Sequence, residues 1–485
     1  MPRRSSAAAF AAACICTVLQ ASAAETATIP AEVRELQRAA LEDQRAYATL
    51  RTLTEQVGNR LAGSEGDRKA VAWALATLRA QGFSNVRAEP VAVPRWTRGN
   101  ASVQLLGGST IELGALALGG SVGTSGLPIE ADVIAATTVD ELKGLSRERV
   151  AGRIVFLYDR MLETRDGMDY GPTVRNRGQG AIEAAKLGAV GLVIRAVGSE
   201  DADRPHTGAM RYASGVPRIP AFAIGNVSAD RLLDRYAHGP VRLRVSSTAT
   251  CEGTAESANV IGEIPGRGAL EPGNTGESVV LGAHLDSWDV GAGAQDDGAG
   301  VATVIEAARR IGEMKQRPRR SIRVVLFANE EFGLSGGRRY VLEHEGELDR
   351  HVGALEADLG SGRVFRFETR VNPDDLPSAI RIADLLAPLG VPFSSNESSG
   401  GADIGPLRDR GVPVFELQHD AAKYFEIHHT AADQLDRIDH RDLAFNVAAY
   451  ATVAWALAEG ADRFAPASRT WPVPPEGVHP CEWQP

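Results

Sequence analysis

The fold assignment starts from residues 278–289, which read Ser-Val-Val-Leu-Gly-Ala-His-Leu-Asp-Ser-Trp-Asp. The first part, Ser278–Ala283, is a nearly continuous apolar run of strand length, as expected for a strand buried on both faces. Polar side chains begin directly after it with His284 and Asp286. Two residues apart at a strand end, these side chains can face the same way. The segment therefore predicts a buried strand that carries chemically active groups at its carboxyl end.

The same pattern continues toward the C-terminus. Further strand candidates are Ser321–Ala328, His351–Ala357 and Val412–Leu417, and the helix candidates among them are Gly298–Met314, Ser335–His344, Leu376–Leu386 and Arg441–Glu459. Apolar strands that alternate with helices are typical of α/β proteins in which helices cover both faces of the sheet. We therefore expect residues 251–465 to form the main part of a doubly wound, mostly parallel sheet.

The N-terminal half of the chain contains two different sequence patterns. Residues 24–118 contain helical periodicity over Glu32–Ala48 and Asp67–Gln81, followed by a strand candidate at Asn85–Val93. We assign them to the N-terminal part of the same domain. Residues 119–250 instead contain short β-branched runs separated by glycine turns. They predict a smaller α/β domain inserted into the larger one.

The N-terminus has the pattern of a cleavable export signal. Arg3 and Arg4 precede the apolar run Ala7–Leu19, and Ala21-Ser22-Ala23 is a small-residue cleavage site. We expect residues 1–23 to be removed after Ala23 and the protein to be secreted or periplasmic. A lipoprotein signal at Cys14 is the weaker alternative. In an oxidising compartment Cys251 and Cys481 could pair, the latter within a C-terminal tail of residues 466–485.

The composition is that of a globular protein without a strongly basic surface. The chain has 485 residues, 44% hydrophobic and 24% charged, which are globular values. It carries 62 acidic and 52 basic residues and a net charge of −10. Because no basic stretch dominates, composition gives no support for a nucleic-acid partner. Outside the signal no segment is long and apolar enough to span a bilayer.

Acid and imidazole side chains follow several successive predicted strands. They are His284, Asp286, Asp296 and Asp297 after the first strand, Glu330 and Glu331 after the second, Asp358 after the third, and His428, His429 and Asp433 before the last helix. Open α/β sheets bind their ligands at the carboxyl ends of the strands. We therefore expect these side chains to share one site.

The residue types at this edge favour a metal site without thiolates. Imidazole and carboxylate ligands suit zinc, and two histidines with three carboxylates can hold two ions if one carboxylate bridges them. The adjacent pair Glu330-Glu331 offers both a general base and a ligand, and Asp286 could orient the imidazole of His284. Taken singly, such an acid is more often a helix cap than a ligand, and Asp296 and Asp297 precede a predicted helix, where an N-cap carboxylate is expected. His419 and His440 are interpreted as surface residues.

The residues around these positions resemble those of the co-catalytic zinc exopeptidases, in particular the carboxypeptidase Q (plasma glutamate carboxypeptidase) branch. The shared motifs are His284–Gly291, Asp296-Asp297-Gly298, Glu330-Glu331, Glu356-Ala357-Asp358, His428-His429-Thr430, and the stretches Val57–Ser64, Pro205–Gly208 and Gly215–Pro220. The resemblance extends over residues 40–460. One departure, the acid in Phe425-Glu426-Ile427, lies where relatives have an aromatic residue.

The resemblance implies two zinc ions per chain and a role for each site residue. One ion would be held by His284 and Asp358, the other by Glu331 and His429, with Asp296 bridging them and Glu330 as general base. Asp286, Asp297 and Asp433 would orient the ligands. A cis peptide between Asp296 and Asp297, a protease-associated-like (cap) domain at residues 119–250, and a homodimer are also implied.

The expected function is that of a secreted di-zinc exopeptidase that cleaves unblocked dipeptides or short peptides. An aminopeptidase that acts on longer peptides is the alternative within the same class. Two alternatives belong to other classes. Gly333–Gly337 matches the G-x-S-x-G motif of serine hydrolases at Ser335, and a receptor-like ectodomain could keep the fold without catalysis.

Overall fold

A computed structural model describes residues 29–270 and 276–465. The predicted signal peptide, Cys14, the C-terminal tail and Cys481 lie outside the described residues. Cys251 takes part in a disulfide, and its pairing with Cys481 stays a prediction. Within the described ranges no helix combines the length and the apolar character needed to cross a membrane.

The secondary structure alternates strands and helices along most of the chain. The strands are β1 Ser84–Thr97, β2 Ala101–Leu106, β3 Ile111–Leu113, β4 Ala115–Ala117, β5 Ile129–Ala136, β6 Ile154–Leu157, β7 Gly191–Arg195, β8 Ala221–Ile224, β9 Arg242–Ser247, β10 Thr250–Ile264, β11 Ser278–His284, β12 Ser321–Phe327, β13 His351–Glu356, β14 Val364–Arg370, β15 Phe393–Ser395 and β16 Val414–His419. The helices are α1 Ala31–Glu42, α2 Arg45–Gln56, α3 Glu65–Ala80, α4 Val139–Lys143, α5 Arg147–Val150, α6 Tyr170–Lys186, α7 Asn226–Ala237, α8 Ala299–Gly312, α9 Ser335–Glu343, α10 Leu376–Leu385, α11 Gly405–Asp409, α12 Tyr424–Ile427 and α13 His440–Glu459.

The larger sheet has the order β1-β10-β12-β11-β13-β16-β14-β15. Its four central strands, β12, β11, β13 and β16, run parallel, so their carboxyl ends meet at one edge. The flanking pairs β1–β10, β10–β12 and β14–β16 are antiparallel. The α/β class is confirmed, but the sheet is mixed: the central strands and the edge pair β14–β15 are parallel, and the other neighbouring pairs are antiparallel.

Helices cover both faces of this sheet. One face packs against α1, α2, α3, α8, α10 and α13, and the other against α9 and α11. The periodic segment Glu32–Ala48, expected as one helix, is divided into α1 and α2. The break has a local cause, because the Asp43 side chain accepts a hydrogen bond from the Arg45 amide at 3.0 Å and so replaces a helical bond.

A second sheet of order β3-β2-β9-β5-β6-β7-β8-β4 lies within the inserted region. Helices α4 and α6 pack on one face and α7 on the other. The sheet begins at Ala101, ahead of the predicted border at residue 119, so β2–β4 belong with the insertion. We call the part of the chain from Ala101 to Ser247 the inserted module. The long strands β1 and β10 run antiparallel into and out of it.

Candidate metal centre

The five predicted metal ligands come from four chain segments at the carboxyl edge of the central strands. His284 ends β11, and Asp296 lies in the tight loop Ala294–Gly298 that leads into α8. Glu331 follows β12, Asp358 follows β13, and His429 follows the short helix α12. The structure brings all five together in two adjoining groups: His284, Asp297 and Asp358 in one, and Asp296, Glu331 and His429 in the other.

Asp296 connects the two groups. Its Oδ1 lies 3.1 Å from Nε2 of His284, and its Oδ2 lies 3.1 Å from Nε2 of His429. Asp358 Oδ1 is 3.3 Å from His284 Nε2, and Glu331 Oε2 is 2.9 Å from His429 Nε2. Each imidazole thus faces the shared carboxylate and one carboxylate of its own.

Asp297 lies close to His284 and Asp358, but its oxygens are already engaged. Oδ2 accepts a hydrogen bond from the amide of His284 at 3.1 Å, and Oδ1 accepts one from the amide of Gly300 at 3.0 Å. The second bond satisfies a free amide at the start of α8, as the capping interpretation expects. The peptide between Asp296 and Asp297 is cis, as the resemblance implies. Asp297 therefore holds the end of β11 and the start of α8 in place, and Asp296 is the carboxylate that lies between the two imidazoles.

Of the two adjacent histidines, His429 is the one that faces the carboxylates. It has a left-handed backbone conformation with φ of 63°, which is uncommon for a side chain larger than glycine and is often found at functional sites. His428 is stacked on His429, with ring centroids 4.0 Å apart, and packs among Tyr170, Tyr424 and Phe425.

Two observations indicate that the site has room and donors for a cation. Asp296 Oδ2 and Glu331 Oε1 are buried and accept no hydrogen bond from any described residue. Such orphaned acceptors are rare in folded proteins and are expected where an ion binds. A cavity of about 10 Å³ is bounded by Asp296, Glu331, His429 and Trp288, which is about the size of one water molecule. The donor set fits a small metal ion.

The electrostatics of the bare site are unfavourable. Burial, followed by the charge of neighbouring carboxylates, raises the pKa of Glu330 well above its usual value and raises that of Glu331 to about 7. Burial opposes the charge on Asp296 too, but the two histidines hold its pKa well below the usual range. Burial disfavours protonation of His429, yet Glu331 and Asp296 raise its pKa to about 9. A divalent cation would neutralise this concentration of carboxylates.

Asp286 ties the segment of Glu330 to the end of β11. Its Oδ1 accepts a hydrogen bond from the Glu330 amide at 3.0 Å. The nearest group to Nδ1 of His284 is the Asp286 backbone carbonyl, at 3.1 Å, whereas the Asp286 carboxylate lies at 3.7 Å. The imidazole is therefore oriented by the main chain of Asp286, and the side chain positions the strand-end loop that carries Glu330 and Glu331.

Asp433 and Arg60 hold the loop that carries Asp296. Asp433 accepts hydrogen bonds from the amides of Gln295 at 2.6 Å and Asp296 at 3.1 Å. Arg60 is fully buried and donates to the carbonyls of Leu285, Ala292 and Gly293 at 2.5–2.9 Å. Arg60 was not among the predicted site residues. The sequence indicated it only through the stretch Val57–Ser64, which shares the family resemblance but contains no histidine, cysteine or acidic residue that could bind a metal.

The inserted module also reaches the site. Arg177 and the backbone of Thr207 both contact His429. Neither residue was predicted. Thr207 lies in the stretch Pro205–Gly208, which shares the family resemblance, whereas Arg177 lies in none of the motifs that carry it. A much larger cavity of about 1200 Å³ lies among β1, β10, α9 and α11. None of the five predicted ligands lines it, so its size does not mark the metal centre.

The expectation that His419 lies on the surface is wrong, whereas His440 is exposed. His419 is 1% exposed, its Nδ1 donates to the carbonyl of Gly360 at 2.7 Å, and its Nε2 lies 3.1 Å from the hydroxyl of Tyr450. It ends the inner strand β16, and α13 covers it with Tyr450. Burial lowers its pKa to about 4.

The serine hydrolase alternative does not fit the geometry. Ser335 begins α9, eight residues after β12 ends at Phe327, whereas a nucleophile elbow places its serine on the turn directly after the strand. The Ser335 hydroxyl accepts a hydrogen bond from the Asn329 side chain at 2.7 Å. Ser335 thus holds the turn between Asn329 and α9 together.

Comparison with known proteins identifies relatives over most of the chain. Residues 259–454 match the model of Peptidase family M28. Carboxypeptidase Q of Xenopus laevis is 34% identical over 416 residues, which is 86% of this chain and 86% of that protein. A crystal structure of a peptidase M28 precursor from Shewanella amazonensis is 40% identical with a TM-score of 0.87, over 90% of this chain and 98% of the other. A zinc aminopeptidase from Bacillus subtilis, 20% identical, shares the fold with a TM-score of 0.60 over 87% of this chain and 96% of the other.

Proposed function

The chain belongs to peptidase family M28 and is a metallopeptidase, and from that premise we propose that it is a secreted di-zinc exopeptidase that hydrolyses unblocked dipeptides or short peptides. One observation carries the proposal. The two oxygens of Asp296 each lie 3.1 Å from an imidazole nitrogen, one of His284 and one of His429. A carboxylate shared in this way is placed to bridge a pair of metal ions.

The residues divide naturally between two ions. His284 and Asp358 would hold one, Glu331 and His429 the other, and Asp296 would bridge them. The imidazole and carboxylate donors without thiolate suit zinc, and the zinc aminopeptidase of like fold supports that choice. When bound, the pair of ions supplies Lewis acidity, which polarises a carbonyl and makes a water acidic near neutral pH.

Glu330 is the group we assign to proton transfer. Its backbone amide is held by Asp286 at 3.0 Å, and its neighbour Glu331 is committed to His429. This leaves the Glu330 carboxylate free to take a proton from the attacking water and to return it to the nitrogen of the leaving amine. The closeness of Asp358 to Glu330, which contributes to the raised pKa of Glu330, supports its position beside the metal ligands.

The test is the substitution Glu330→Gln. We expect kcat to fall by about 10²–10⁴-fold, the usual contribution of a positioned acid–base group, while two zinc ions per chain are retained. Glu343→Gln is the matched control, because Glu343 is an exposed residue at the end of α9 that pairs with Arg339. Wild-type turnover by Glu330→Gln would refute the assignment of the base.

The substrate class is tested with a panel of peptides. Free dipeptides are compared with N-acylated, C-amidated and longer peptides, each with and without a chelator. A dipeptidase should lose activity when either end is blocked, whereas an aminopeptidase should tolerate C-amidation and greater length. Preference for long peptides would replace the dipeptidase proposal with the aminopeptidase alternative.

Export and assembly belong to the same proposal and have separate tests. The family resemblance and the residues before Ala24 support cleavage after Ala23, so the mature N-terminus determined by sequencing should be Ala24. The resemblance also supports a homodimer, for which sedimentation equilibrium should give twice the mass of the chain. A retained N-terminal segment or a monomer would contradict the respective part.

A further inference from the structure

We propose that the inserted module positions one ligand of the metal centre, because Arg177 and the Thr207 carbonyl orient His429. Arg177 is a positioning residue in this account and does not bind the metal itself. The inference rests on the proposed di-zinc function and adds a role for a part of the chain that contributes no ligand.

The contacts converge on the ring nitrogen of His429 that faces away from the carboxylates. Nδ1 lies 3.2 Å from the carbonyl oxygen of Thr207 and 3.3 Å from NH1 of Arg177. NH1 also donates to the same carbonyl at 3.1 Å. A His429 that ligates zinc through Nε2 carries its ring hydrogen on Nδ1, and because Arg177 can only donate, the Thr207 carbonyl is then the acceptor for both the guanidinium and that hydrogen.

This arrangement suits a histidine that binds a metal through Nε2. A neutral imidazole that gives its Nδ1 hydrogen to a carbonyl keeps its lone pair on Nε2. Nε2 of His429 is the atom that lies 3.1 Å from Asp296 and 2.9 Å from Glu331. Ligating histidines are commonly oriented by such a bond from the other ring nitrogen.

The two chain segments are also joined through the main chain. The amide of Thr207 donates to the carbonyl of His429 at 3.0 Å. Thr207 therefore holds both the backbone and the ring of His429, and it does so from the module. The Thr207 side chain is itself held, since its hydroxyl accepts a hydrogen bond from Arg98 at 2.7 Å.

Arg177 is held by hydrogen bonds from both of its terminal nitrogens, NH1 to the Thr207 carbonyl and NH2 to Tyr170. Its side chain is buried, and NH2 donates to the hydroxyl of Tyr170 at 2.7 Å. Tyr170 lies about two turns earlier on the same helix, α6. Gly208, with φ of 130°, lies directly against the guanidinium, and a Cβ atom there would overlap with it. Only glycine at residue 208 leaves Arg177 room to reach the Thr207 carbonyl.

The other histidine does not depend on the module. The orienting carbonyl of His284 is that of Asp286, in the same loop of the larger sheet, at 3.1 Å. A disturbance of Arg177 should therefore weaken the ion held by Glu331 and His429 and leave the ion held by His284 and Asp358. This asymmetry separates a positioning role from a general contribution to folding.

The experiment measures two zinc affinities in each variant of the full-length mature protein by competition with a chromophoric chelator. In Arg177→Gln we expect one affinity to fall by about 10–100-fold, the usual effect of removing a group that orients a ligand, with the other unchanged. Arg177→Lys keeps a donor and should restore part of the loss. Arg175→Gln is the matched control, because Arg175 lies on the same helix, is exposed and pairs with Asp140.

Two further variants make the test independent of the folding of Arg177→Gln. Tyr170→Phe removes only the hydroxyl that holds NH2, and Gly208→Ala crowds the guanidinium, and both should weaken the same single zinc. The inference is overturned if the variants bind both ions as the wild type does, or if both affinities fall together. A wild-type protein that binds fewer than two zinc ions would instead overturn the di-zinc proposal.

Discussion

Asp433 provides the sharpest test of how Asp296, the proposed bridging carboxylate, is held. Its two oxygens accept the amide hydrogens of Gln295 and Asp296 at 2.6 and 3.1 Å, and Asp433 is buried. In Asp433→Asn one oxygen becomes an NH₂ group of nearly equal size. A donor then faces a backbone donor, so one buried amide loses its acceptor and the backbone of Asp296 is no longer fixed from both sides.

The size of the effect follows from that single lost bond. An unsatisfied buried amide costs about 1–3 kcal/mol, which corresponds to about 5- to 140-fold in an equilibrium constant. Because Asp296 lies 3.1 Å from both His284 and His429, we expect both zinc affinities to weaken by up to this range, the full amount applying where the zinc-free loop shifts to give the amide another acceptor. Arg177→Gln, by contrast, should weaken only one.

The assay is the same chelator competition, with Asp436→Asn as the control. Asp436 lies three residues along the chain on the exposed turn Leu435–Arg437 and should leave both affinities unchanged. Retention of both wild-type affinities in Asp433→Asn would refute the claim that Asp433 fixes the bridge. Loss of one affinity alone would refute the claim that Asp296 serves both ions.

The remaining predictions concern His419 and Ser335. Burial lowers the pKa of His419 to about 4. Between pH 6.5 and 4 the unfolded chain therefore binds more protons than the folded one, and the free energy of unfolding decreases as the pH is lowered. Relative to pH 7.5, this group should remove about 2 kcal/mol from the free energy of unfolding at pH 5. Denaturant titrations should show that His419→Gln lacks this part of the loss, and an identical pH dependence in both proteins would contradict it. Ser335→Ala should keep peptidase activity that a chelator abolishes, measured by dipeptide hydrolysis, whereas loss of turnover with zinc retained would reopen the serine mechanism.

Much of the clustering of acid and imidazole side chains at one sheet edge could be predicted because the relevant signals are local. The apolar run before His284 and the strands before Glu330 and Asp358 are continuous in sequence, and parallel strands bring their carboxyl ends to one edge. The choice of His429 over His428 came from the family resemblance. In the structure the left-handed backbone at His429 distinguishes the two neighbours.

The parts that were not predicted depend on contacts between distant segments. The Thr207 carbonyl and His429 are 222 residues apart in sequence, and no local pattern links them. Strand β10 has an exposed first half and a buried second half, so it lacks the continuous apolar run of a central strand. His419 lies in a stretch of mixed polarity, and its burial depends on α13 packing over the end of β16.

The central claim is that two ions share Asp296, and a crystal structure of the zinc-loaded protein with anomalous data at the zinc absorption edge tests it most directly. The account predicts two anomalous peaks about 3.5–4 Å apart, each next to one oxygen of Asp296, one beside His284 and Asp358 and the other beside His429 and Glu331. A single peak, or two peaks of which only one contacts Asp296, would contradict it.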